Sequence, residues 1–167
     1  MGETGGGGFA QLQGRKTLAD ILDVAILFER TAFEFYSALI TRVSKPLRYL
    51  VETLATEEQR HVDLFTEIRN RPGLEEQIHR MVDTPASDGR FSDAVHLPHM
   101  SEKPDDQEVL QYAMWREHTA MEQYRALSAS TEHGPVRDLF EFLAEEELQH
   151  KKELEKLYYE VVHSGGV

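Results

Sequence analysis

Six side chains in this sequence have the types and the spacing to hold metal ions. Glu29 lies in Phe28-Glu29-Arg30-Thr31-Ala32-Phe33-Glu34-Phe35-Tyr36, and Glu58 and His61 follow in Leu54-Ala55-Thr56-Glu57-Glu58-Gln59-Arg60-His61. Both segments recur. Glu117 lies in Arg116-Glu117-His118-Thr119-Ala120-Met121-Glu122-Gln123-Tyr124, 88 residues after Glu29. Glu147 and His150 lie in Leu143-Ala144-Glu145-Glu146-Glu147-Leu148-Gln149-His150, 89 residues after Glu58 and His61. Each half thus contributes one lone Glu, with a Tyr seven residues on, and one Glu-x-x-His pair. Helix residues i and i+3 share a face about one turn apart, so each pair can reach a single site. Four carboxylates and two imidazoles without sulfur suit iron or manganese, with zinc or cobalt as occupants in vitro. They are enough for two ions held roughly 3.5–4 Å apart. A single Glu-x-x-His arises often by chance on charged helices; two copies, each preceded by a matching helix with a central Glu, do not.

The elements that position these groups follow from helical periodicity. The apolar stripes are Leu18, Leu22, Ala25, Ala32, Tyr36 and Leu39; Leu47, Leu50, Leu54, Phe65 and Ile68; Leu110, Ala113, Met114, Ala120, Met121, Tyr124 and Leu127; and Val136, Leu139, Leu143, Leu154, Leu157 and Val161. Glu29, Glu58 with His61, Glu117, and Glu147 with His150 interrupt those stripes, on the faces that must pack inward. Burying an unpaired carboxylate costs several kcal/mol, and four in one apolar interior could not all stay ionised. Bound cations remove the conflict. Glu57, Glu145 and Glu146 point about 100° or more away from the ligand beside them, and are expected in solvent, as are Glu34 and Glu122. Tyr36 and Tyr124 either hydrogen-bond a ligand carboxylate or are core tyrosines with other partners. His79, His96, His99 and His118 lack partner spacing and are expected at the surface; Trp115 is expected in packing.

The punctuation predicts an all-α, four-helix bundle made of two helical hairpins joined by a long crossover. Residues 1–16, opening on a glycine run, form a flexible segment, and residues 17–163 form the bundle. The first hairpin covers 17–71, broken at Ser44 and Pro46 and stopped by Arg71-Pro72-Gly73. Residues 72–104 hold four of the six prolines and form the crossover, with a short helix possible from Leu74 to Val82. The second hairpin covers 105–163, broken at Gly134-Pro135. At 167 residues one domain can bury a core without disulfides. The absence of Cys excludes thiolate metal sites, iron–sulfur clusters and cysteine nucleophiles. The net charge of −12 argues against nucleic acid as a partner. No apolar run fits a membrane span or a signal peptide, and a cytoplasmic location is the expectation.

These motifs resemble the ferritin-like superfamily, and the rubrerythrin-type di-iron domain most closely. Glu29 and Glu117 match the lone Glu positions of that family, and Glu58-x-x-His61 and Glu147-x-x-His150 the paired ones. The resemblance covers roughly residues 17–163. It implies a left-handed bundle, a buried di-iron centre and a homodimer, sometimes with exchanged helices. Rubrerythrins usually carry a rubredoxin-like module with Cys-bound iron, which a chain without Cys lacks, so electrons must come from an external donor. Many also carry a second carboxylate three residues after the lone Glu of the third helix; Ala120 stands there. That removes one of the two groups between which an iron moves in the family's peroxidase cycle. The leading expectation is an oxidoreductase whose two iron ions react with peroxide or dioxygen, as a peroxidase, oxidase or ferroxidase with a role in oxidative stress. A manganese catalase, a metal storage protein and a structural metal site share the same ligands.

Overall fold

The computed structural model describes residues 15–83 and 100–165. Four long helices dominate: α1 (Leu18–Leu39), α2 (Lys45–Asn70), α4 (Asp106–Ser130) and α5 (Pro135–Gly165), with a single turn, α3 (Glu75–Ile78), after α2. A ribbon of two short strands, β1 (Arg15–Thr17) and β2 (Met81–Asp83), pairs antiparallel with Thr17 opposite Met81. Arg15 and Lys16, expected in a flexible segment, are therefore tied by backbone pairing to the chain leaving α3. The short helix is narrower than Leu74 to Val82 because β2 takes over its end. Residues 1–14, most of the crossover (84–99) and with it His96 and His99 lie outside the described residues.

Local chemistry starts each helix. Thr17 caps α1 through a reciprocal pair: its Oγ1 accepts from the Asp20 amide at 3.1 Å, and an Asp20 carboxylate oxygen accepts from the Thr17 amide at 3.2 Å. Asp105 caps α4, accepting from the Glu108 amide at 2.8 Å. Pro46 sits in the first turn of α2, where its missing N–H costs nothing. The turn after α2 passes through Gly73 at φ +91°, a conformation that favours glycine.

Contacts at the ends set the chain directions. Ser44, between α1 and α2, donates to Asp106 at the start of α4 (2.5 Å), whereas Arg80, beyond α3, pairs with Glu132 between α4 and α5 (2.8 Å). Hence α2 and α4 run one way while α1 and α5 run the other. The end of α2 and the start of α4 therefore lie at opposite ends of the bundle, roughly 39 Å apart by the length of the 26-residue α2.

Two apolar clusters fill the interior. One gathers Leu22, Phe28, Phe65, Tyr124, Leu127, Phe140 and Leu143 near the ribbon end; the other gathers Tyr36, Leu39, Leu47, Leu54, Leu110, Ala113 and Leu154 near the Ser44 end. Trp115 belongs to neither. It is 40% exposed, because two residues before Glu117 is about 200° round the helix from the inward face. No helix among the described residues is long and apolar enough to cross a membrane.

Candidate metal centre

Between the two apolar clusters lies a belt of buried polar groups. Glu29, Glu58, His61, Glu117, Glu147 and His150 are all buried, none more than 6% exposed. Each comes from the helix face the periodicity assigns to it, so four helices deliver six side chains to one level of the bundle. The structure brings all six together in two overlapping groups. Glu29, Glu58, His61 and Glu147 place one ligand atom each within 4.8 Å of one another, and so do Glu58, Glu117, Glu147 and His150. Glu58 and Glu147 belong to both groups.

The protein itself does not satisfy this belt. Glu29 Oε2, both Glu147 carboxylate oxygens, and Nδ1 of His61 and of His150 are buried without a hydrogen-bond partner. His61 Nδ1 lies 3.1 Å from Glu147 Oε1 and His150 Nδ1 3.4 Å from Glu147 Oε2, close enough for charge attraction but misaligned for hydrogen bonds. Native interiors rarely leave buried polar atoms unpaired. Carboxylate oxygens and imidazole nitrogens facing a common centre fit a pair of divalent ions of the oxygen- and nitrogen-preferring kind.

Both tyrosines touch the belt. Tyr36 donates to Glu117 and Tyr124 donates to Glu29. Each therefore serves the lone Glu of the other hairpin, not the one seven residues before it. Antiparallel α1 and α4 explain the exchange: seven residues forward on one helix lies opposite seven residues back on the other. Burial and the facing carboxylate charges raise both phenol pKa values well above 10, so both phenols stay neutral donors.

Without an ion, the carboxylates divide by position. Burial and the charge of Glu117 push Glu147 up to about 8. Burial and the charges of Glu147, Glu29 and Glu117 push Glu58 well above its usual value. Burial would raise Glu117 too, but Glu147, His150 and Tyr36 outweigh it and hold Glu117 at about 2. Glu29 is likewise held low, with Glu58, His61 and Tyr124 overcoming burial. Burial disfavours charge on His61 and His150, yet the surrounding carboxylates raise both well above the usual histidine range. Burial and the neighbouring charges thus favour protons on the two glutamates shared by both groups and on both imidazoles.

Three residues beside the belt have contacts that the sequence reading missed. Glu146, expected in solvent, lies 3.0 Å from His61 Nε2, and Glu57, also expected in solvent, lies 2.5 Å from His150 Nε2. Both do point away from the ligand beside them, but α2 and α5 are neighbours, and that direction leads to the histidine of the opposite helix. They remain about one-third exposed, and Glu57 also lines a surface groove of about 290 Å³ with Tyr49, Glu52, Thr53, Thr56 and Arg60. Arg116 is buried, its guanidinium 4.9 Å from the Phe35 ring centroid and 5.7 Å from that of Phe28. Its position three residues after Ala113 and four before Ala120 was the available signal. Glu145, Glu34 and His79 are exposed, as expected. Glu122 and His118 are half-buried and pair with each other at 2.8 Å. Ala120 is packed in the apolar cluster, so the additional carboxylate of many rubrerythrins has no counterpart at that position.

A solved Thermotoga maritima structure, described as ferritin-like and diiron-carboxylate, shares this fold with a TM-score of 0.69 and 18% sequence identity, over 89% of this chain and 99% of that one. No curated protein matches the chain. The Rubrerythrin family model matches residues 20–158, a span that includes all six belt residues and both tyrosines. With a ferritin-like helical bundle built around that belt, the chain belongs to the Rubrerythrin family.

Proposed function

We propose that this belt holds two iron ions and that the protein is an oxidoreductase reacting with peroxide or dioxygen. The observation that carries the reading is the division of one buried cluster into two four-ligand groups sharing Glu58 and Glu147, with unpaired donor atoms facing inward. Glu29 and His61 would hold one ion, Glu117 and His150 the other, and Glu58 and Glu147, common to both groups, would serve both. A bound ferrous pair supplies two electrons to an oxidant.

The chain's own residues do the rest. Tyr36 and Tyr124 hold Glu117 and Glu29 in place through hydrogen bonds. The apolar clusters on either side exclude bulk water, which strengthens each charge interaction inside. Glu58 and Glu147 give up their protons when cations replace them. Since the chain has no Cys, reducing equivalents for turnover come from an external donor.

An anaerobic ferrous titration followed by a peroxide or dioxygen challenge tests the proposal. Two ferrous ions per chain should bind and be oxidised much faster than free ferrous iron, with multiple turnover only when a reductant is added. Oxidation at the rate of free iron would favour storage. Peroxide disproportionation by the manganese-loaded protein, with no reductant, would favour a catalase.

A further inference from the structure

We propose that Glu57 and Glu146 are positioning residues for the metal centre: each holds the outward ring nitrogen of the histidine on the opposite helix, so that the inward nitrogen meets the ion. This rests on the metal-centre reading above.

The contacts are reciprocal. Glu146 of α5 faces His61 Nε2 of α2 at 3.0 Å, and Glu57 of α2 faces His150 Nε2 of α5 at 2.5 Å. An ionised carboxylate only accepts hydrogen bonds, so each Nε2 must carry a proton and donate it. When an ion displaces the Nδ1 proton, the imidazole keeps its Nε2 proton and presents its lone pair at Nδ1. Nδ1 is the atom that both rings bury toward the belt without a hydrogen-bond partner. The two rings lie nearly parallel, at 15° with centroids 6.1 Å apart, as two rings held from outside by matching partners would.

The duplicated unit is therefore Glu-Glu-x-x-His, not Glu-x-x-His. Its second Glu and its His face inward, and its first Glu reaches across to the neighbouring helix. Metal-bound histidines commonly need such an outer partner, and losing it typically costs about 10–100-fold in metal affinity. The rival account is a plain ion pair tying α2 to α5, which would affect melting but not which ring nitrogen is protonated.

The test uses the full chain with zinc as the probe, comparing wild type with Glu57→Ala, Glu57→Gln, Glu146→Ala and Glu146→Gln. Calorimetric titration gives affinity, and long-range proton–nitrogen NMR gives the protonated nitrogen of each ring. In the wild type both histidines should carry the proton on Nε2 and zinc on Nδ1. Each Ala variant should weaken zinc binding by roughly 10–100-fold and release the tautomer of the histidine opposite. Each Gln variant should recover most of the affinity, because an amide oxygen accepts the same bond. Zinc coordinated through Nε2, Ala variants with unchanged affinity and ring nitrogens, or Gln variants as weak as Ala would overturn the proposal while leaving the metal centre standing. A wild-type chain that takes up no zinc would overturn both. Because Glu57 and Glu146 sit on a partly exposed rim, their truncation opens no core cavity, and circular dichroism of the ion-free variants checks folding.

Discussion

In the first hairpin the residue before the lone glutamate is Phe28; in the second it is Arg116, and the two meet, with the guanidinium 5.7 Å from the Phe28 ring centroid. The six belt residues repeat between the hairpins, and so do the tyrosines and the outer glutamates. Their protonation follows the same symmetry, with Glu58 and Glu147 raised and Glu29 and Glu117 lowered. Arg116 breaks the symmetry: its charge partly offsets the rise of the Tyr36 phenol, which Tyr36 shares with Tyr124 in direction. Groups that face a common centre are constrained to one geometry. A group one residue away only has to fill its space and satisfy its charge, which aromatic faces do for an arginine.

The largest expected effect separates position from hairpin. Glu58→Ala and Glu147→Ala each remove a group shared by both sub-sites and should abolish stable binding of both ions. Glu29→Ala and Glu117→Ala should leave one. Elemental analysis after metal loading and dialysis reads this directly, and Glu29→Ala losing as much metal as Glu58→Ala would break the division into shared and terminal ligands.

Next comes pH. Glu147 rises from its ordinary 4.5 to about 8 in the ion-free fold, and Glu58 shifts the same way. An acid with a raised folded pKa contributes fully to stability below its unfolded value and loses that contribution as pH climbs through the folded one. His61 and His150, also raised, lose theirs in the same direction above about 6.5. The lowered Glu29 and Glu117 act oppositely, their contribution lost only on acidification below about 4.5. The ion-free protein should therefore lose stability from pH 5 to pH 8. Metal-loaded protein should gain on it over the same range, because protons compete with the ions. Loading near neutrality should release about four protons, one each from Glu58, Glu147, His61 and His150. Melting curves and titrations in buffers of different ionisation enthalpy check both; a gap between the curves that widens on acidification would contradict the assignment.

The tyrosines test the symmetry more finely. Tyr36→Phe and Tyr124→Phe each remove a donor to a buried carboxylate, a loss of roughly 1.5–3 kcal/mol. Both should lower the melting temperature of the ion-free protein by similar amounts; a marked inequality would show that the hairpins differ at the belt itself.

Arg116 should give the smallest effect. Arg116→Met removes stacking on Phe35 and Phe28, about 0.5–2 kcal/mol, and should lower melting by a few degrees with two ions still bound. Arg116→Lys should not restore it, since an ammonium lacks the planar face. Loss of one ion in Arg116→Met would make Arg116 part of the belt's electrostatics and not merely its packing.

Much of this was legible in the chain. Glu29, Glu58, His61, Glu117, Glu147 and His150 stand in apolar stripes, and a stripe must face inward whatever the helix packs against. Local punctuation such as Ser44 with Pro46, Arg71-Pro72-Gly73 and Gly134-Pro135 set the helix limits to within a few residues, because turns act through near neighbours. Only the tertiary structure decided which hairpin each tyrosine serves, that Glu57 and Glu146 reach the histidines of opposite helices, that Trp115 faces solvent, and that Arg116 lies between aromatic rings. Helical periodicity reports an angle about one axis. These contacts depend on the direction and level of a second helix, which only the packing of whole helices against one another sets.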